Sequence, residues 1–279
     1  FILIVIISSF LGILISSIIA PTEIDSLLNE NIFRLKISQL IASFFIFIIP
    51  PAVLSYFIFN GSLNIFGFKK ELKRQNLLII LLIMIFIQPF VVFCMQINNS
   101  ILDSISEYIP VIYKQMKIME DRAAELTEIF LQMNSVGDLC FNIFLIALVP
   151  AIGEELFFRG IIQKKLENIL TPHLSVFIAS FIFSAIHFQF FGFLPRFILG
   201  LILGYLFLYS RNLWAPIFAH FTNNALGVLL MYSSIKDNLN FDITEIQNSE
   251  ISLIQASISI LVVLFFIYLY KKINMGKII

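Results

Sequence analysis

Apolar runs long enough to cross a lipid bilayer recur along the whole chain, and a polypeptide built this way has few folds open to it. In hydrocarbon every backbone N–H and C=O must be satisfied within the protein, so spanning segments are helices or closed barrels. A helix needs about 20 apolar residues to cross roughly 30 Å. The runs fall near residues 1–20, 37–59, 76–97, 138–160, 173–190, 193–210, 213–232 and 252–270. They predict an all-α membrane protein, a bundle of about eight transmembrane helices. The chain is 59% hydrophobic and 13% charged, against about 45–50% and about 25% in a soluble domain. It cannot cover itself with water-compatible side chains, so the lipid bilayer is its solvent. A formal net charge of zero offers no pull on nucleic acid. Cys94 and Cys140 form neither a disulfide framework nor a zinc motif and read as inert. A chain that opens on Phe1 reads as lacking its true start, and the first run is long for a signal-peptide core.

The loops set an orientation. The stretches Gly67–Gln75, Arg159 with Lys164 and Lys165, Arg211, and Lys271–Lys277 are basic. The alternate loops are acidic or neutral: Glu23, Asp25 and Glu30 follow the first run, and Asp237, Asp242, Glu245 and Glu250 follow the seventh. Lys and Arg gather on the cytoplasmic side. The expectation is a multi-pass protein of the cell (inner or plasma) membrane with both termini cytoplasmic. Residues 99–136 do not span. Within them Ile118, Leu126, Ile129 and Phe130 recur at helical spacing among Glu120, Asp121, Glu125 and Glu128. This predicts an amphipathic extracytoplasmic helix, read as a connector, with a lid as the alternative. The chain then divides into N-terminal helices (1–98), this connector (99–136), a helical core (137–232), and an outer loop with the last helix (233–279). No internal repeat and no Gly-rich phosphate loop is visible.

Ionisable groups within apolar runs are costly, about 2.5–3.5 kcal/mol each on insertion scales, so they face the bundle interior and mark function. Three clusters stand out. In "PAIGEELFFRG" (Pro150–Gly160), Glu155 and Arg159 share a helix face and can form an ion pair, while Glu154 is rotated by about 100°. Glu155 and Arg159 therefore read as a brace, and Glu154 as a free carboxylate suited to general-base work. In "FSAIHF" (Phe183–Phe188), His187 lies one helical turn after Phe183, whose ring could fix the imidazole. In "HFTNNALG" (His220–Gly227), His220 and Asn224 share a face, and Thr222 and Asn223 point elsewhere as interhelical glue.

A free carboxylate, two histidines and an amide on three helices can activate a water and stabilise an oxyanion. Glu154 would take the proton, His187 would hold the water, and His220 and Asn224 would donate to the charge developing on a carbonyl. Glu154, His187 and His220 are also candidate ligands for a divalent metal such as zinc, with a fourth position open. Without an H-E-x-x-H pair, zinc is the weaker case. Ser180 and Ser184 lie in no nucleophile elbow. One tension remains. From the expected helix ends, His187 lies about 12 Å deeper from the cytoplasm than His220.

The three motifs E-E-x-x-x-R (Glu154, Glu155, Arg159), F-x-x-x-H (Phe183, His187) and H-x-x-x-N (His220, Asn224), in that order on successive helices, resemble the CAAX-protease and bacteriocin-processing family (CPBP, Abi) of intramembrane endopeptidases. The resemblance covers residues 137–232. It implies an eight-helix bundle with an active site inside the membrane, open to the cytoplasm, in which the first Glu and first His activate water and the second His and the Asn form the oxyanion hole. It implies a peptide or protein substrate, membrane-anchored or not. Nothing in these residues selects a prenyl group, and the Ile- and Phe-rich style points to a bacterial peptide-processing or resistance role. Two other readings stay open: a catalytically silent protein of the same architecture (immunity factor or scaffold), and a proton-coupled transporter. The absence of repeats weighs against the transporter. Gly200 and Gly204 form a G-x-x-x-G packing motif in any case.

Overall fold

The computed structural model describes residues 2–19, 29–59, 67–68, 71–236 and 250–275. Glu23, Asp25, Asp237, Asp242 and Glu245, which carried part of the orientation argument, lie outside them. The described residues are mostly helical, with no strand among them. We name the helices α1 (Ile2–Ile19), α2 (Ile32–Tyr56), α3 (Arg74–Ile105), α4 (Pro110–Phe130), α5 (Val136–Leu166), α6 (Pro172–Ala185), α7 (Phe193–Ser210), α8 (Trp214–Lys236) and α9 (Leu253–Met275).

The sequence predicts about eight spans, but among the described residues five helices are long and apolar enough to cross a bilayer: α2, α3, α5, α7 (with Phe190–Gly192) and α9. Helices α1 and α6 are apolar but shorter. The 14 residues of α6 reach about 21 Å, less than the hydrocarbon thickness. Helix α8 carries His220, Thr222, Asn223 and Asn224 in its middle, which lowers its hydropathy. Helix α3 runs on to Ile105, so the connector begins later than residue 99. Its helix, α4, is present and amphipathic, with Ile129 its buried residue.

Prolines and inserted hydroxyls shape the long helices. Pro89 interrupts α3 near Ile87. There the Ser259 hydroxyl of α9 donates to the Phe86 carbonyl (2.5 Å) and accepts from the Phe90 N–H (3.3 Å), sitting inside the backbone ladder. In α5, wider π-type turns at Ile143–Leu148 and Phe158–Gln163 flank the segment that carries the glutamates. The first lies just before Pro150, whose ring cannot donate to the Ile146 carbonyl four residues back. Such turns gather at functional sites.

Two glycines set the closest crossing. On α7, a Cβ on Gly200 would lie 3.1 Å from Ser180 Cβ, and one on Gly204 2.8 Å from Val176 Cγ1, so α6 packs directly on the glycine stripe. The same stripe bares its carbonyls to α5: Arg159 Nη2 donates to Gly200 (2.9 Å) and Gln163 Nε2 to Gly204 (3.2 Å). A core of Ile80, Ile83, Met84, Leu203, Leu206, Ala219 and Tyr270 joins α3, α7, α8 and α9. Contacts gather several basic residues at one end of the bundle. Arg211 pairs with Glu167, a Cβ on Gly67 would meet the Arg211 carbonyl, Lys271 lies over the Tyr209 ring, and Asn274 bonds Asn76. At the other end Asn98 clamps the turn after α6, donating to the carbonyls of Phe190 (2.9 Å) and Phe191 (3.0 Å) and accepting from the Leu194 N–H.

Candidate active site

Glu155 and Arg159 make the expected ion pair on α5. Arg159 Nη1 donates to Glu155 Oε1 over 2.7 Å, and both side chains are buried. Arg159 also lies over the Phe183 ring, 4.8 Å from its centroid. The glutamate does more than the brace reading assigned to it. Its Oε1 also accepts from His220 Nδ1 of α8 over 2.9 Å. A carboxylate can only accept, so His220 carries a proton on Nδ1 and turns Nε2 towards Glu154.

His187 is oriented the same way by a different acceptor. Its Nδ1 donates to the Phe183 carbonyl over 2.7 Å, which frees Nε2. The sequence puts His187 within the fifth span, but α6 ends at Ala185 and His187 stands in the turn beyond it. That turn is held by Phe188 in the left-handed region (φ 53°), a conformation costing a bulky L-residue about 1–2 kcal/mol. The depth tension is removed. Nε2 of His187 and Nε2 of His220 lie 4.0 and 3.9 Å from the same Glu154 Oε2. Phe183 packs edge-on against both imidazoles, at 5.2 and 6.0 Å between centroids.

Asn224 lies on the same face of α8. Its Nδ2 donates to the Ile146 carbonyl over 3.2 Å. Pro150 has no N–H to offer that carbonyl four residues back, so Asn224 supplies a donor from α8 and keeps a second N–H for the cavity. Asn223 accepts from Gln88 Nε2 of α3 (3.2 Å) and donates to Asn224 Oδ1 (3.3 Å). The interhelical bond expected of Asn223 is present, but Asn223 also lines the cavity. Thr222 bonds back to the Phe218 carbonyl of its own helix instead.

These groups surround a cavity of about 140 Å³ bounded by Glu154, Phe183, His187, His220, Asn223, Asn224, Arg196 and the apolar Met84, Leu199 and Leu203. Arg196 and Asn223 were not read as site residues from the sequence. Cys94 is buried and Cys140 exposed, and neither is in a disulfide.

The donor set does not close on a metal. Two bonds of about 2.1 Å at a tetrahedral angle put ligand atoms roughly 3.4 Å apart, and the two nitrogens stand at 4.0 and 3.9 Å from the carboxylate oxygen. Among the described residues no group of three His, Cys, Asp or Glu is arranged to hold a metal ion. The same separations suit a bridging water, at about 2.8 Å from each partner.

Fold and site together define a multi-pass helical membrane protein with a polar, histidine-lined cavity inside its bundle. Residues 137–226 match the Rce1-like family, described as "Type II CAAX prenyl endopeptidase Rce1-like". This stretch contains all three motifs, and at family level the match supports a CAAX-type intramembrane protease. The chain is also similar to the "Uncharacterized protein YpbD" of Bacillus subtilis (strain 168), with 32% identity over 89 residues, or 30% of this chain and 43% of that protein. The match thus spans less than half of that relative. No solved structure matches.

Proposed function

We propose that the chain is an intramembrane endopeptidase that hydrolyses a peptide bond with water activated by Glu154. The observation that carries this is the convergence of two imidazole Nε2 atoms on one carboxylate oxygen, at 4.0 and 3.9 Å, inside a buried cavity. A water held between Glu154 Oε2 and His187 Nε2 gives its proton to Glu154 as its oxygen attacks the peptide carbonyl carbon. The carbonyl oxygen becomes the oxyanion. His220, which as imidazolium is held against the Glu155 carboxylate, donates from Nε2, and Asn224 donates its second N–H. Collapse breaks the C–N bond, and Glu154 returns the proton to the leaving nitrogen. Three acceptor atoms around one water leave too few protons unless one member is protonated, and this mechanism requires that proton on His220 Nε2.

The apolar wall of Met84, Leu199 and Leu203 suits a hydrophobic peptide, free or membrane-anchored. The basic end of the bundle then faces the cytoplasm of the cell membrane. The test is cleavage by purified protein in detergent or liposomes, with apolar peptides and farnesylated peptides as substrates. The wild type should cleave, and Glu154→Ala and His187→Ala should lose activity by at least about 100-fold. Cleavage that persists in Glu154→Ala removes this mechanism.

A further inference from the structure

Arg196, on the first turns of α7, puts a cation into the cavity wall beside Glu154 and His187. Its guanidinium is built in. Nη1 donates to Gln189 Oε1 (2.6 Å) and Nη2 to the Gln189 carbonyl (2.5 Å). Gly192 leaves room for it, since a Cβ there would lie 2.6 Å from Nη2 and 3.2 Å from Cζ. Gln189 and Gly192 belong to the turn that Asn98 clamps from α3. The turn thus fixes one edge of the arginine.

The other edge is unused. A guanidinium has five N–H donors, and Gln189 takes two of them. Nε is buried and has no hydrogen-bond partner. Glu154 and Glu120 attract the arginine through space, but among the described residues no carboxylate comes within 4.0 Å of it. A cation held in a membrane bundle without a paired anion is unfavourable. Arg159, one helix away, shows the satisfied alternative, with a carboxylate, a carbonyl and an aromatic face.

We propose that Arg196 is a specificity-determining residue: it binds a carboxylate of the peptide substrate through its free edge and so fixes which bond lies at Glu154. This rests on the endopeptidase reading above. Nε is buried, so a small shift of the side chain must bare it; the Nε–Nη edge then offers two parallel N–H donors, the geometry that suits a carboxylate and that lysine lacks. The carboxylate and Glu154 share one small cavity, so the anion sits close to the scissile bond along the chain. A peptide's free C-terminus and an acidic side chain are its two sources.

The experiment compares apolar N-acetylated peptides synthesised as free acids, as carboxamides, and as carboxamides with one internal Glu. Cleavage is measured with the wild type, and binding with the Glu154→Gln protein. Charge-assisted hydrogen bonds of this kind correspond to about 10- to 100-fold in affinity. The free acids should bind and be cleaved with KM lower by that factor than the plain carboxamides. A C-terminal site leaves the internal-Glu peptides at the carboxamide level, whereas a side-chain site raises them. Arg196→Gln should erase the preference of acids over carboxamides, Arg196→Lys should keep part of it, and Gly192→Ala should raise KM for acids more than for carboxamides. Equal handling of acids and carboxamides by the wild type overturns the assignment and leaves the endopeptidase standing. Absence of cleavage and binding for every peptide overturns both.

Discussion

Glu155 Oε1 stands 2.7 Å from Arg159 Nη1 and 2.9 Å from His220 Nδ1, so one buried oxygen joins the brace of α5 to an imidazole of the cavity. Glu154, its sequence neighbour, makes no such bond and faces the two Nε2 atoms. The adjacent glutamates should therefore fail differently. Glu155→Ala strands a buried guanidinium, a loss of about 3–5 kcal/mol, and frees His220 to rotate. Glu154→Ala strands no partner. Thermal unfolding in detergent should show a large fall in Tm for Glu155→Ala and a small one for Glu154→Ala, although both lose cleavage. Equal falls would contradict this division.

The glycines of the bundle predict opposite signs. At Gly204 a new Cβ meets the buried, β-branched Val176 at 2.8 Å and Gln163 Oε1 at 3.2 Å, and neither neighbour has space to retreat. Gly204→Ala should cost about 1–3 kcal/mol and shift α6, with His187 at its end, so activity falls too. A Cβ at Gly227 on α8 meets nothing within 4 Å. Gly227→Ala should stabilise by about 0.5–1 kcal/mol. The check is thermal unfolding of the two variants side by side.

The motif residues were legible in the sequence because the bilayer makes each misplaced charge expensive, and because i, i+4 spacing on a helix decides who shares a face. That reasoning reached Glu154, Phe183, His187, His220 and Asn224, which line one cavity, and Glu155 and Arg159, which pair beside it and hold His220. It missed Arg196, a lone charge in the first turn of the run 193–210 with no partner at helical spacing. It also missed Gln88 and the cavity side of Asn223, since no spacing rule pairs α3 with α8. The end of α6 was hidden for a related reason. Apolar residues (Ala185, Ile186, Phe188, Phe190) continue past the end of the helix, so the turn resembles another helical turn in composition. The π-type turns of α5 follow from packing and from Pro150, not from periodicity.

Glu120 gives a pH prediction outside the spans. It lies on α4, with Lys117 and Asp121 beside it, Arg196 across from it, and the Phe191 N–H bonded to it. Burial holds its carboxyl above the ordinary glutamate value, against the pull of Arg196 and the Phe191 N–H. The folded chain therefore binds this proton at a pH where the unfolded chain has released it, and stability falls as pH rises through the window above about 4.3. Glu120→Gln removes the cost of ionisation. Its Tm should exceed that of the wild type near about pH 7, and the gap should close on acidification towards about pH 4. A gap that widens on acidification would reverse the sign.

Asn224 appears to one assay as structure and to another as chemistry, and Pro150 separates the two. Pro150 has no N–H for the Ile146 carbonyl four residues back, and Asn224 Nδ2 supplies one from α8 over 3.2 Å. Asn224→Ala strands that carbonyl inside the bundle, at about 1–3 kcal/mol. Pro150→Ala restores an N–H at the correct position of α5, so the carbonyl can close its own turn. In the Pro150→Ala background the Asn224→Ala loss should shrink by about half or more, giving a coupling on the order of 1 kcal/mol between residues on different helices. Activity should not follow. The second N–H of Asn224 has no substitute when the oxyanion forms, so the double variant should regain Tm and stay slow, by about 100-fold for one lost donor. Additive losses of stability would deny the proline its role, and restored cleavage would deny Asn224 its own.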